Sequence, residues 1–542
     1  MTTDAYDRYG RIEPWIYGAL CLFMVGEVWS RSVFFTNDGS AHLYNARILT
    51  DMLMGTDAAY ADFFSFNTFP EPNWTGHLLL MPLLAAFGPF VAEKVVVSLY
   101  VVLFLFGFRW MAMGAKGFNP AFTYLIFPFV FNFPLYTGFF NFCLGLGIMF
   151  ITVGHWMRRY RWSRPGRGNL LMACLLLLGY FTHLSTFIMT GVVLGAFVMH
   201  GLADVFLSEK KIIDWTKETG QLALASALPL VLAVWYFIDN DGGGTLENTI
   251  PTLHQLSDLT WLKPIVVFHT GHEQEFTSSL MDVGIAAISA SVLFRAFAVN
   301  RADDDSVRIS YSRYDAEGKD VSRSFLIAAV LFLILYLKLP DDMSGGGFVQ
   351  VRMALVFMLA VVAWLATWPV PRVLATLLVP ITFYCIVQLN EARSPYMAVQ
   401  GAIVRELMPA ADHLPEGAVV LPIIRNHHWF MGHASNYLGT RKPLVIVDNY
   451  EACTGYFPVI WNLPVNPTQT LPFPAWKLCA DHAERTKELY GRIDAVLLYQ
   501  DSTVSVEGLC DNRLEQFIAL GYREVYRSKS GKTALFLSNE LK

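Results

Sequence analysis

Apolar and polar positions do not alternate along this chain; the apolar ones gather in long runs joined by short polar links. A helix rising 1.5 Å per residue needs about 20 apolar residues to cross roughly 30 Å of hydrocarbon, where it must satisfy its own backbone hydrogen bonds. That criterion predicts about eleven spanning helices, near 13–35, 92–112, 118–135, 138–156, 169–185, 187–206, 221–238, 281–299, 324–339, 351–368 and 373–390. His77 to Gly88 is apolar too, but only about a dozen residues long, so it is expected to lie in the outer interface. A transmembrane barrel would show short alternating segments instead. From Arg393 onward the pattern changes. Short β-type runs at 419–424, 443–449 and 494–500 alternate with helical patterns at 479–490 and 512–520, and the end of the chain, 522–538, reads as a β-hairpin around a Ser-Gly turn.

The expected fold is therefore a polytopic all-α membrane bundle over 1–392, with long outer loops at 37–91 and 239–280, followed by a small extracytoplasmic α/β domain over 393–542. Composition agrees: 54% of the 542 residues are hydrophobic and 16% charged, against roughly 25% charged in an ordinary soluble domain. A formal charge of -5 gives no electrostatic case for a nucleic-acid partner. Orientation follows from basic residues, which stay cytoplasmic in short loops. If 77–88 does not cross, Arg8, Arg11, Arg109, Lys116, the run from Arg158 to Arg167, Lys210, Lys211, Lys217, Arg295, Arg301, Arg308, Arg313, Lys319, Arg323 and Arg372 fall inside. The outer short loops keep Arg47, Lys263, Lys338 and Arg352. The N-terminus is expected in the cytoplasm and the C-terminal domain outside, in the periplasm of a cell whose inner membrane holds the bundle. Cys21, Cys143, Cys174 and Cys385 read as small buried hydrophobes. Two of Cys453, Cys479 and Cys510 could pair as a disulfide in an extracytoplasmic domain.

Long loops are where function concentrates, and the first one opens with Asn37-Asp38-Gly39-Ser40-Ala41-His42-Leu43-Tyr44-Asn45. Asp38 is placed at the membrane boundary, beside a hollow for a lipid headgroup. His42 lies one helical turn further on, with Tyr44 and Asn45 next to it. Glu71, Trp74 and His77 come immediately before the interfacial helix, and these three, with Tyr44 and Asn45, are candidates to contact the substrate. Such a carboxylate can take the proton of a hydroxyl acceptor and stabilise an oxocarbenium-like transition state. Arg352, after the flexible 344–347 stretch, has the planar fork suited to a departing phosphate, and Lys338 is the second candidate. In the second loop His269, His272 and Glu273 have a spacing able to hold a divalent ion, without a defined signature. In the C-terminal part, residues 426–437 and Asp448-Asn449-Tyr450-Glu451 gather polar and aromatic groups at strand ends, expected chiefly to pack that domain on the bundle and to gate an acceptor.

The order of Asp38, the segment at 72–88 and a span ending at Arg109 resembles the GT-C superfamily of integral membrane glycosyltransferases, which includes protein O-mannosyltransferases and aminoarabinose transferases. Many members carry a second acidic residue in the loop after the third span. Here that turn, Leu135-Tyr136-Thr137-Gly138, has none, so the family's metal usage is not carried over. The resemblance implies an inverting transfer of a sugar from a polyprenyl-phosphate donor to a glycan, lipid or protein acceptor, with Asp38 in the catalytic place; from its position one turn on, His42 could orient Asp38 or the acceptor. A secondary transporter or flippase and a non-catalytic envelope assembly protein are the alternatives. The first should show repeated halves with midplane ionisable groups, and the spans here hold few.

Overall fold

The computed structural model describes residues 3–159, 165–207, 211–239, 248, 250–267, 273, 277, 281–282, 284–286, 289, 293, 321–343, 346–368, 372–426, 429–462, 493–501 and 513–539. The chain forms two compact units. One comprises Met1–Val28, Ser98–Leu135 and Phe140–Ser394; the other comprises Trp29–Val97, Tyr136–Phe139 and Pro395–Lys542.

The first unit is helical. Among the described residues of the chain, five helical stretches are long and apolar enough to cross a membrane: Pro89–Ala112, Phe140–Met157, Leu184–Phe206, Ile212–Asp239 and Ala375–His413. Helices also form at Thr3–Trp29, Pro165–Thr182, Ser322–Lys338 and Val349–Leu365, and the last long helix runs without a break over Arg372–Leu407. Most of the span expected at 281–299 lies outside the described residues. The Ile212–Asp239 helix shows what the apolar surface is for. It buries only Ala225, Pro229, Ala233 and Tyr236, a single stripe at helical spacing, while Leu224, Val231 and Ile238 stand exposed. Apolar residues all round a helix are expected where the other face meets lipid. Cys174 is exposed on the Pro165–Thr182 helix rather than buried, because its position falls on that helix's outer face.

Helices pack closely where glycine permits. A Cβ on Gly147 would stand 2.6 Å from Cβ of Leu103, and Gly107 meets the Gly147 carbonyl, the small-residue contact that lets membrane helices approach.

The span expected at 118–135 takes a different form. Pro120–Phe129 is a ten-residue 3₁₀ helix with every residue buried, followed by the short turn Phe133–Tyr136. Its course is still antiparallel to the Pro89–Ala112 helix: Tyr124 donates to Glu13, the partner of Arg109, and Tyr100 donates to the Val130 carbonyl. Prolines at 120, 128 and 134 remove donors that an α-helix needs. Irregular backbone is tolerated at membrane depth where protein surrounds it.

Glu13 and Arg109 form a buried bidentate pair, with N···O distances of 2.8 and 2.5 Å, and the guanidinium lies over the Tyr17 ring. Removing one partner strands a buried charge. Glu13→Ala should therefore destabilise the bundle by about 3–5 kcal/mol, read as a lower melting temperature of the full chain in detergent.

The second unit joins the 37–91 segment to the α/β part. Strands β1 (Phe64–Phe66), β2 (Val419–Arg425), β3 (Val445–Ile446), β4 (Val459–Trp461), β5 (Ala495–Gln500), β6 (Tyr522–Arg527) and β7 (Thr533–Ser538) form two sheets. β1 pairs antiparallel with β4, bringing residue 64 opposite 461. The other sheet has the order β3-β2-β5-β7-β6, with β3, β2 and β5 parallel and the β6–β7 hairpin antiparallel. β2 and β5 read as continuous apolar runs because both faces are covered. The pattern expected at 479–490 lies outside the described residues, while that at 512–520 becomes the helix Arg513–Ala519. The apolar segment expected in the outer interface is the helix Trp74–Phe87, fourteen residues long.

Candidate active site

The second unit carries a buried polar cluster built from the Gly39–Met54 helix, the start of the Trp74–Phe87 helix and the loops after β2 and β3. Asp38 is the N-cap of the Gly39–Met54 helix. Its position is set by backbone contacts: the N–H groups of Asn37 and Asp38 donate to the carbonyls of Tyr136 and Thr137, at 3.0 and 2.9 Å. Gly138 ends that turn at φ +91°, where a Cβ would meet the backbone of Asp38 and Gly39 at 2.5–2.9 Å. The loop without a second acid thus seats Asp38 through its main chain.

The Asp38 carboxylate accepts from Asn37 Nδ2 at 2.8 Å and from the Tyr450 hydroxyl. It faces His433 Nε2 at 4.0 Å. His433 Nδ1 stands 3.6 Å from Asp448 Oδ2, and its ring lies against Tyr450 with centroids 4.5 Å apart. The Asp38 side chain keeps 9% of its surface accessible, a narrower approach than the hollow expected from sequence. Burial raises its pKa to about 6, although His433 and Tyr450 pull the other way. Burial alone would lower His433, but Asp448, Asp38 and Glu451 outweigh it and raise that ring to about 9. His433 is then a cation at neutral pH beside an ionised Asp38.

A base works only when ionised, so a reaction that uses Asp38 should speed up as pH rises through about 6 and level off above it. His433→Gln removes the cation favouring the carboxylate and should move that rise to higher pH. The rate–pH profiles of the two proteins measure the shift; identical profiles would remove His433 from the site's electrostatics.

One turn beyond Asp38, His42 joins His77 and Glu451. His42 Nδ1 lies 2.8 Å from Glu451 Oε1, His77 Nε2 lies 3.3 Å from Glu451 Oε2, and the two ring nitrogens are 3.4 Å apart. All three side chains are buried, and their ligand-type atoms are close enough together to hold a metal ion. Burial would raise the Glu451 pKa, but the two histidines lower it to about 2. His42, which burial alone would lower, is raised by Glu451.

The other candidates are distributed as follows. Asn45 donates to Glu451 Oε2 at 2.8 Å and accepts from Asn449 at 2.7 Å. Tyr44 donates to the Leu444 carbonyl at 2.5 Å and accepts from Ile446 N–H, its ring against Gly439, contacts that tie it to β3. Glu71 is buried and Trp74 half-buried. Arg352 and Lys338 belong to the first unit. Arg352 is buried, 3.3 Å from the Ser185 hydroxyl and over the Phe142 ring, and Lys338 is exposed at the end of its helix. His269 and His272 lie outside the described residues. Glu273 pairs with Arg393 at 3.0 Å.

In the sequence, Glu451, Asp448 and Tyr450 belong to a cluster expected chiefly to pack and to gate an acceptor, as does His433. Nothing in a single sequence links residue 451 to residues 42 and 77. Glu93 went unremarked; it accepts from Thr36 at 2.9 Å and from Tyr437 at 2.5 Å. A lone acid next to Lys94 at the start of an apolar run was the available signal.

No protein-family model matches the sequence, and no curated protein matches it. Among solved structures, it is similar to ArnT from Cupriavidus metallidurans. The structure bound to undecaprenyl phosphate aligns over 96% of this chain and 97% of its own, at 12% identity and a TM-score of 0.41. The apo structure aligns over 97% and 98%, at 12% identity and a TM-score of 0.44.

Proposed function

We propose that this protein is an inverting glycosyltransferase of the cytoplasmic membrane. It takes a sugar from a polyprenyl-phosphate donor and places it on a glycan, lipid or protein acceptor at the outer face. The observation that carries this reading is the Asp38 carboxylate, held by Tyr450 and Asn37, faced by His433, and weakened in acidity to about 6. A hydroxyl is a poor nucleophile, and a base is most useful when its pKa lies near the working pH. The acceptor oxygen attacks the anomeric carbon while its proton passes to Asp38. The bond from that carbon to the phosphate oxygen breaks, and the lipid phosphate leaves with the electron pair.

Arg352 is the group proposed to receive that phosphate, because a buried guanidinium offers several fixed donors where water does not compete. Lys338 is the alternative. Glu71, Trp74 and His77 are proposed to line the approach, and His42 to support Asp38. The proposed topology has about eleven spans, a cytoplasmic N-terminus, and the loops 37–91 and 239–280 with the 393–542 domain outside.

Near-complete burial of Asp38 favours one competing reading, a non-catalytic envelope assembly protein in which the same cluster only fastens the loop to the α/β part. Mass spectrometry of envelope glycans and lipid-linked sugars separates the two, in a deletion strain carrying either the native protein or Asp38→Asn. A transferase predicts a missing sugar and accumulated donor with the variant at native expression. An assembly protein predicts two identical profiles, and an accumulated solute with unchanged glycans would favour a transporter.

A further inference from the structure

The histidine–glutamate cluster has a hydrogen-bond pattern that protons satisfy poorly. His77 Nδ1 is 3.0 Å from the Asn73 carbonyl, which can only accept, so Nδ1 carries the ring's proton. His42 likewise donates to the Gly138 carbonyl, and with Nδ1 turned toward Glu451 that bond falls to the ring's other nitrogen. In the neutral rings the two facing nitrogens are then lone pairs, 3.4 Å apart. Both are aimed at a carboxylate that is itself an acceptor. A single proton on His42 Nδ1 serves Glu451 Oε1 but leaves the His77 Nε2 lone pair facing the other carboxylate oxygen at 3.3 Å, and a second proton sets two N–H groups against one another.

A divalent ion resolves the conflict. We propose that His42 Nδ1, His77 Nε2 and the Glu451 carboxylate form a binding site for a divalent cation of the zinc class, with a further coordination position left open. Nitrogens bound at about 2.0–2.1 Å around a tetrahedral ion stand roughly 3.3–3.4 Å from each other, which is the spacing found. Two imidazoles and one carboxylate suit zinc better than the harder magnesium or calcium. Metal-bound histidines characteristically give their other N–H to a carbonyl, as both do here, and a bound carboxylate is itself hydrogen-bonded, as Glu451 is by Asn45. Wholly buried Glu451 needs a compensating positive charge in any case.

Three segments far apart in sequence would be fastened by one ion: the Gly39–Met54 helix, the Trp74–Phe87 helix and the turn Glu451–Cys453. His42 N–H donates to the Asp38 carbonyl at 3.0 Å, so the ion would fix the helical turn that carries the proposed base. The site does not depend on that base being catalytic.

The test uses the full chain in detergent, loaded with zinc, dialysed against zinc-free buffer and analysed by elemental mass spectrometry. The expected result is about one zinc per chain, with cobalt substitution giving the intense visible bands of a tetrahedral site. His77→Ala and Glu451→Gln should bring zinc to background. Asn45→Ala should weaken binding about 10–100-fold against a competing chelator, and Asp38→Asn should keep zinc, which separates this site from the catalytic reading. Native protein that retains no zinc would overturn the proposal whatever the variants do, since it requires no variant to fold. Full zinc occupancy in both His77→Ala and Glu451→Gln would overturn it equally.

Discussion

Asp38→Asn should slow sugar transfer by about 10²- to 10⁴-fold, the usual contribution of a positioned general base, without lowering the melting temperature. The amide has nearly the carboxylate's shape and can keep an oxygen facing Asn37 Nδ2, whose bond to Oδ1 is 2.8 Å. It can neither take the acceptor's proton nor oppose positive charge at the anomeric carbon. His433 would retain Asp448 and Glu451 as counter-charges, so the cluster should hold together. The measurement is the initial rate of sugar release from a polyprenyl-phosphate donor in proteoliposomes. A rate within about tenfold of the native one would remove Asp38 from the chemistry.

Gly138→Ala is expected to have the second-largest effect, although residue 138 touches no substrate. Its φ of +91° costs a side-chain-bearing residue about 1–3 kcal/mol. The new Cβ would also stand 2.5 Å from the Gly39 nitrogen and 2.7 Å from that of Asp38. These are backbone atoms and cannot rotate away. Either the turn separates, losing the bonds from Asn37 and Asp38 to Tyr136 and Thr137, or Asp38 shifts with it. Both outcomes lower the melting temperature and the rate together. Gly55→Ala is the control: its φ is +68° and nothing lies within 4 Å of the added carbon, so it should lower stability modestly and leave the rate unchanged. If both substitutions reduced activity alike, the contact at Asp38 would not be the cause.

Hydropathy made the helices at 92–112, 138–156 and 187–206 legible, because lipid demands a length that a sequence displays directly. It also marked 118–135, but could not tell an α-helix from a 3₁₀ helix: both are apolar, and only the three prolines favoured the second. The hairpin at 522–538 was readable from its turn residues. At the site, Asp38 and His42 stand out as ionisable groups at the start of a long loop, and His77 as a lone histidine at the head of an apolar run. Their partners do not, since Glu451 and His433 come from near the other end of the chain, and a contact across hundreds of residues leaves no local pattern. Tyr44 and Asn45 stand close to His42 in the sequence, yet their own hydrogen-bond partners lie far along the chain. On a helix, adjacent positions face different ways, and these two turn toward β3 and Glu451.

The 3₁₀ helix Pro120–Phe129 constrains how the protein can be made. An α-helical span of full length can leave the translocon alone, whereas this ten-residue 3₁₀ segment, at about 2.0 Å per residue, is too short to cross unaided. Its cap residue depends on a carbonyl made much later, Asn119 N–H donating to Ala366 at 2.7 Å, and its burial is shared with the Val349–Leu365 helix. A nascent chain halted before residue 349 should therefore leave residues 118–130 open to water-soluble thiol reagents at introduced cysteines, and extension past 368 should close them. Biogenesis would then proceed by holding an unfinished crossing beside its neighbours until the tenth expected span arrives to seal it.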